Sequence, residues 1–247
     1  MKYQNDIDKM NTNRNLFLMS LPIFVELLLQ LLVGNVDQMM VSRVSQPSVA
    51  AIVNANQIMN LVIIVLSMAS TAVTVILSQY LGAQDEKNAS RTCMVSLVLI
   101  GGVSLAATIL VFAGHTPLYR AIHVPEEVFD EASLYLLIVG AFILVQGLYL
   151  TFSAMIRAFA MVKEVMIISV IMNAMNIVGN AILINGWFGM PQLGAVGAAI
   201  STDISKLVGL ALMIGMFFKS RRVKMGMSYL RPFPVQILKN LCLLAIP

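Results

Sequence analysis

The sequence predicts an all-α integral membrane protein built as a bundle of six transmembrane helices, and three observations carry that prediction. Only 11% of the 247 residues are charged and 59% are hydrophobic, whereas an ordinary soluble domain is roughly 25% charged. The apolar residues fall into six runs, each close to or above the ~20 residues needed to cross a hydrocarbon core. Lys and Arg residues gather in alternate connections between those runs, as expected of a chain threaded back and forth through a membrane.

The runs follow one another in order. A polar head, residues 1–15, precedes the first, Leu16–Val41, which is long enough to span and so reads as a membrane helix and not as a cleavable signal peptide. The second is Ala50–Leu81, inside a stretch from Val44 to Gln84 without a single charge. The third is Thr92–Gly114 and the fourth Ala132–Phe159. The fifth, Val165–Trp187, and the sixth, Leu193–Phe218, are joined by "NGWFGMPQLG", whose Gly and Pro residues predict a tight turn. Together the six runs make a helical lobe over 16–218. A basic linker, 219–236, follows, and 237–247 turns apolar again as the start of a seventh helix.

Charge sets the expected orientation. One set of connections holds Lys2, Lys9, Arg14, Lys87, Arg91, Arg157, Lys163 and the linker cations Lys219, Arg221, Arg222, Lys224 and Arg231, with Lys239 after them; the other holds only Arg43 and Arg120. The positive-inside rule places the first set, and with it the N-terminus, in the cytoplasm. The net charge of +4 follows from this asymmetry, and no nucleic-acid partner is needed to explain it. The linker serves either as a determinant of topology or as a contact for anionic lipid headgroups.

The end of the chain echoes its beginning. Laid so that Pro22 meets Pro247, residues 14–22 and 239–247 share Asn, Leu, Leu and Pro at four of nine positions. A repeat of that length would hold six crossings, so two copies would share one orientation, giving a two-lobe, twelve-helix parallel repeat of which this chain is one lobe. Chance recurrence among leucine-rich helix starts is the alternative.

Polar groups within the runs mark where function would reside. A carboxylate at the centre of a membrane helix costs about 2.5 to 3.5 kcal/mol on insertion scales, so Glu26, Asp37, Asp203 and the cation Lys206 must face protein or water. Glu26 and Asp37 lie on nearly one face of the first helix. Asp203 and Lys206, at i and i+3, are neighbours that either neutralise each other or act functionally. Asn173, Asn176 and Asn180 form a stripe on the fifth helix, which either hydrogen-bonds helices together or lines a polar pocket. Gly194, Gly197 and Ala198 allow close approach at the start of the sixth, and Pro22 either loosens the first helix or marks its first turn. The two cysteines, Cys93 and Cys242, have no metal-ligand spacing with His115 or His123. The chain lacks a GxxxxGK[ST] phosphate loop and a nucleophile–base–acid set, so neither nucleotide use nor enzymatic catalysis is expected.

Four stretches in series resemble the multidrug and toxic compound extrusion (MATE) family. "LPIFVELLLQLLVGNVDQMMVSRVS" is similar to the family's first helix, with Pro22, Asp37 and Arg43 in the matching places. "ILSQYLGAQDEKNASR" resembles the end of the second, "MIRAFAMVKEVMIISVIMNAMNIVGNAILI" the fourth-to-fifth connection and fifth helix, and "LGAVGAAISTDISKLVGL" the sixth. The resemblance implies a prokaryotic, inner-membrane antiporter that exports amphipathic or cationic organic compounds against an inward flow of protons or sodium, without a cofactor. Taken with the polar groups above, the expected coupling residues are Asp37, Asn176, Asn180 and Asp203, and the expected cavity or gating residues are Pro22, Glu26, Asn173, Thr202 and Lys206. No resident metal is implied; a sodium ion, if that is the coupling ion, falls to Asp37, Asn176 and Asn180. Two departures stand out. Asn180 occupies a position where relatives carry an acid, and Asp203 stands where a neutral residue is expected. A lipid-linked precursor flippase of the same superfamily and a self-contained six-helix channel or structural subunit are the alternatives.

Overall fold

The computed structural model describes residues 21–26, 28, 36, 39–42, 46–121 and 124–245, and every regular element among them is helical. The first predicted crossing therefore lies mainly outside the described residues, and with it Asp37 and Arg43; helical turns at 21–26 and 39–42 are its described part. The polar head, His123 and Pro247 also lie outside them.

The other five predicted crossings are present. They are α1 (Gln46–Gly82), α2 (Glu86–Ala121), the pair α3 (Glu126–Ala141) and α4 (Ile143–Ala158), α5 (Val162–Asn185) and α6 (Gly194–Ser220). Among the described residues four helices are long and apolar enough to span, and α3 with α4, bent by 43°, counts as a fifth when the pair is taken as one span. The bend, which the sequence did not announce, sits at Phe142 (φ −100°, ψ 10°), whose N–H bonds to the Val139 carbonyl in a tightened turn. A short helix, α7 (Val235–Ala245), follows the basic linker and packs on α1 and α2 through the buried Ile237 and Leu241.

Several helices outrun the apolar windows that predict them. At 36 residues and 1.5 Å per residue, α2 is about 54 Å long, against ~30 Å of hydrocarbon. Its charged ends, with Glu86, Lys87 and Arg91 at one and Arg120 at the other, continue the helix in water. Asp85 caps the start. It accepts the Asn88 backbone N–H at 3.0 Å and the Asn88 amide at 2.6 Å, and these bonds hold its carboxyl below the usual carboxylate range. A lowered native pKa means the cap is in place at neutral pH and is lost only as pH falls through that lowered value.

Burial is inverted relative to a soluble domain. Leu61, Ile64 and Val65 on α1, Ile109 and Leu110 on α2, and Ile167 and Val178 on α5 face outward, where lipid solvates them. Ser104, Thr151, Asn176, Asn180 and Asp203 are buried. Hydroxyls that cannot reach water bond to their own helix four residues back, as Ser96 does to Thr92, Ser104 to Ile100 and Thr151 to Gly147.

α5 and α6 form the most extensive helix pair. Their turn is set by Gly186 in the left-handed region (φ 72°), which ends α5 with its N–H on the Ile182 carbonyl. The helices then close to backbone contact, because a Cβ on Gly197 would stand 2.7 Å from the Leu183 carbonyl oxygen. Gly197→Ala is thus expected to force the pair apart, at a cost of about 1–3 kcal/mol. Thermal unfolding in detergent should fall for this variant and not for Gly215→Ala, whose Cβ meets open space; equal melting would show that the close approach is unimportant.

Candidate functional site

A cavity of about 340 Å³ lies between α1, α3, α4, α5 and α6. The helices present their short polar side chains to it because burial against lipid is not open to those groups. Of the residues expected from the sequence, Asn173 and Asn176 from α5 and Thr202 and Lys206 from α6 line it. Asn180 stands one turn above Asn176 and is buried.

Three of these residues form a directed network across the α5–α6 seam. The Asn176 amide donates to Thr202 Oγ1 at 3.0 Å, and its Oδ1 accepts from the Asn180 amide at 3.3 Å. Below them Ser201 donates to the Asn176 backbone carbonyl at 3.0 Å. Asn176 is the hub: truncating it breaks both side-chain bonds at once. Asn173 adds a buried amide nitrogen that has no hydrogen-bond partner among the described residues. Amides and hydroxyls can turn either an oxygen or a hydrogen toward a guest, so this wall suits a small cation, a proton-bearing group or a polar organic molecule.

Other expected residues are placed elsewhere. Asp203 is buried but does not line the cavity. Neither of its carboxylate oxygens has a hydrogen-bond partner among the described residues. Pro22 is buried in the helical turn 21–26. Glu26 is buried too, with its carboxylate turned to Arg157: Oε1 takes the Arg157 Nη2 at 2.7 Å and the Ser169 hydroxyl at 3.3 Å. Ser169 in turn lies 3.2 Å from the Tyr149 hydroxyl, and Tyr149 is a cavity residue.

Several lining residues were missed by sequence reasoning. Asn56 and Asn60 on α1, Gln146 on α4, and Tyr135, Tyr149 and Ser205 all face the cavity. The signal for the first pair was present, since two amides at i and i+4 in an uncharged membrane run share a face. Met59 and Met172 also line it, placing two of the chain's methionines in a wall that can adapt to differently shaped guests. Among the described residues no three His, Cys, Asp or Glu side chains lie together to hold a metal.

Comparison with known proteins agrees on one group. The MatE family profile matches residues 22–182, well over half of the chain. The transporter YisQ of Bacillus subtilis (strain 168), described as uncharacterized, is 36% identical over 233 residues, covering 94% of this chain and 51% of the relative. NorM of Thermotoga maritima, described as a probable multidrug resistance protein, is 27% identical over 226 residues, covering 89% and 47%. A crystal structure of MATE in the bent conformation matches with a TM-score of 0.84 at 22% identity, over 93% of this chain and half of that one, 50%. A MOP superfamily transporter from Pyrococcus furiosus Vc1 (DSM3638), whose description speaks of a reversed polarity of its binding pocket, matches with a TM-score of 0.83 at 22% identity, over 93% and 50%. At that identity the structural likeness establishes the fold alone. The chain spans about half the length of the curated relatives it matches.

Proposed function

Since this chain belongs to the MATE family, we propose that it forms the N-terminal lobe of a cation-coupled antiporter that exports amphipathic or cationic organic compounds from the cytoplasm. The observation that supports this reading best is the polar cavity inside the lobe, walled in part by Asn176 and Thr202, with Asn180 bonded behind Asn176. The probable multidrug resistance proteins among the relatives supply the cargo class.

Coupling requires a group whose occupancy by a proton or sodium ion favours one helix arrangement over another, because a ligand shifts an equilibrium only by binding its states unequally. Asp37 is the assigned group. Asn176, Asn180 and Thr202 assist it, since the Asn176–Thr202 bond ties α5 to α6, the Asn180–Asn176 bond orients it, and both rearrange when a cation competes for the same oxygens. Cargo passes between this lobe and a second six-helix lobe of the same protein. The head, the 219–236 linker and the other basic connections face the cytoplasm, in the inner membrane of a prokaryote.

A second reading, export of a lipid-linked precursor, is favoured by Lys206, whose place in the cavity wall suits an anionic headgroup. Cells expressing the full-length natural protein are expected to retain less of a fluorescent lipophilic cation than cells lacking it. Equal retention, with accumulation of an anionic lipid precursor in the cells lacking it, would favour the flippase.

A further inference from the structure

We propose that Glu26 and Arg157 form a bolt closing one end of the lobe cavity, and that parting this pair opens the cavity at the face carrying the α4–α5 turn. The inference rests on the transport reading above for its purpose, and on the structure for its geometry.

One carboxylate holds three elements. Glu26 belongs to the first crossing, Arg157 to the last turn of α4, and Ser169 to α5. Ser169 has a single hydroxyl hydrogen, and its bond to Glu26 uses it, so in the 3.2 Å contact with Ser169 the Tyr149 hydroxyl is the donor. The chain of bonds therefore runs Tyr149 to Ser169 to Glu26, with Arg157 closing it from the other side.

That chain has two ends in different surroundings. Tyr149 lines the cavity. Arg157 lies eight residues farther along α4, about 12 Å at 1.5 Å per residue, and its side chain is 31% exposed while that of Glu26 is 3% exposed. The network thus runs from the cavity wall at Tyr149 toward the surface at the α4–α5 turn. Among the described residues α4 and α5 make little contact of their own and are joined mainly through α6, so the network adds a direct tie between them.

An ion pair suits such a position because it has two discrete states. Closed, the buried Glu26 carboxylate is satisfied by Arg157 and Ser169. Open, the carboxylate must be hydrated instead, so separation and water entry occur together. A hydrophobic contact in the same place would give no comparable coupling to water.

The test uses the full-length natural protein without its native cysteines and with a single reporter, Met172→Cys, in the cavity wall. Membrane vesicles of each orientation are treated with an impermeant methanethiosulfonate, and the labelling rate is followed. Glu26→Gln, which keeps the size and an acceptor for Ser169, should raise the rate by about tenfold or more from the face carrying the α4–α5 turn and leave the other face unchanged. Arg157→Gln should act in the same direction, and the double variant should label no faster than the faster single one, as expected of two residues acting through one bond. An unchanged rate in both single variants, an equal rise at both faces, or additive effects in the double variant would each overturn the proposal. Labelling reports access and not transport, so loss of coupled export in the parent protein would defeat the transport reading while leaving this result intact.

Discussion

Asp37→Asn is expected to insert and fold as the parent does and to lose gradient-driven export by about a hundredfold, the loss anticipated when the group that makes a ligand distinguish two states is removed. The cavity itself supports the assignment. Among its described lining residues the only formal charge is the cation Lys206, and no carboxylate is present. Asn180 is an amide, and the buried Asp203 does not line the cavity. Within this lobe the proposed source of a titratable anion is the first crossing, where Glu26 is paired with Arg157 and Asp37 is the group assigned above. Its carboxylate cannot be left in lipid, where insertion would cost about 2.5 to 3.5 kcal/mol. Asp203→Asn should show a weaker defect, because Lys206 one turn on offsets its charge. Wild-type export by a stably inserted Asp37→Asn protein would remove Asp37 from the mechanism. Loss of export in Asp203→Asn alone would move coupling to α6.

Asn176→Ala should raise the ion concentration needed for half-maximal export by about tenfold while leaving the folded protein intact. Each hydrogen bond lost from a membrane interior contributes only ~0.6 to 2 kcal/mol, and α5 and α6 remain joined by close packing at Gly197. The larger consequence is local. The substitution removes the donor to Thr202 and the acceptor from Asn180, and with them the arrangement that orients Thr202 in the cavity wall. Thr202→Val, which loses one of those bonds, should show an intermediate shift. If the stripe serves only to join helices, Asn176→Ala will melt at a lower temperature and its remaining export will keep the parent's ion dependence.

How far the sequence could be read depended on whether the controlling interaction was local. Runs of apolar residues located five crossings because lipid imposes a length on each, and the Gly-rich "NGWFGMPQLG" identified the α5–α6 turn. The ends of α2 were set too short, since hydropathy marks the part in lipid and Glu86, Arg91 and Arg120 extend the helix beyond it. The Asn173–Asn176–Asn180 stripe was legible from spacing, and Asn56 and Asn60 could have been found the same way. The bend at Phe142 was not, because it arises from a single tightened hydrogen bond that any sequence could adopt. Nor was the partner of Glu26: it lies 131 residues away, and nothing in the local pattern around Arg157 separates it from the other cations of the basic connections. Asp203 and Lys206 were recognised as neighbours, but only the packed bundle reveals that Lys206 lines the cavity and Asp203 does not.

The central claim, export coupled to a cation, is tested most directly by reconstituting the full-length natural protein into proteoliposomes and imposing a proton gradient and a sodium gradient separately while following a lipophilic cation. The account predicts uphill movement driven by one of the two gradients, opposite in direction to the ion, and abolished by the matching ionophore or by Asp37→Asn. Movement that only runs down the compound's own gradient, unaffected by either ion, would contradict it.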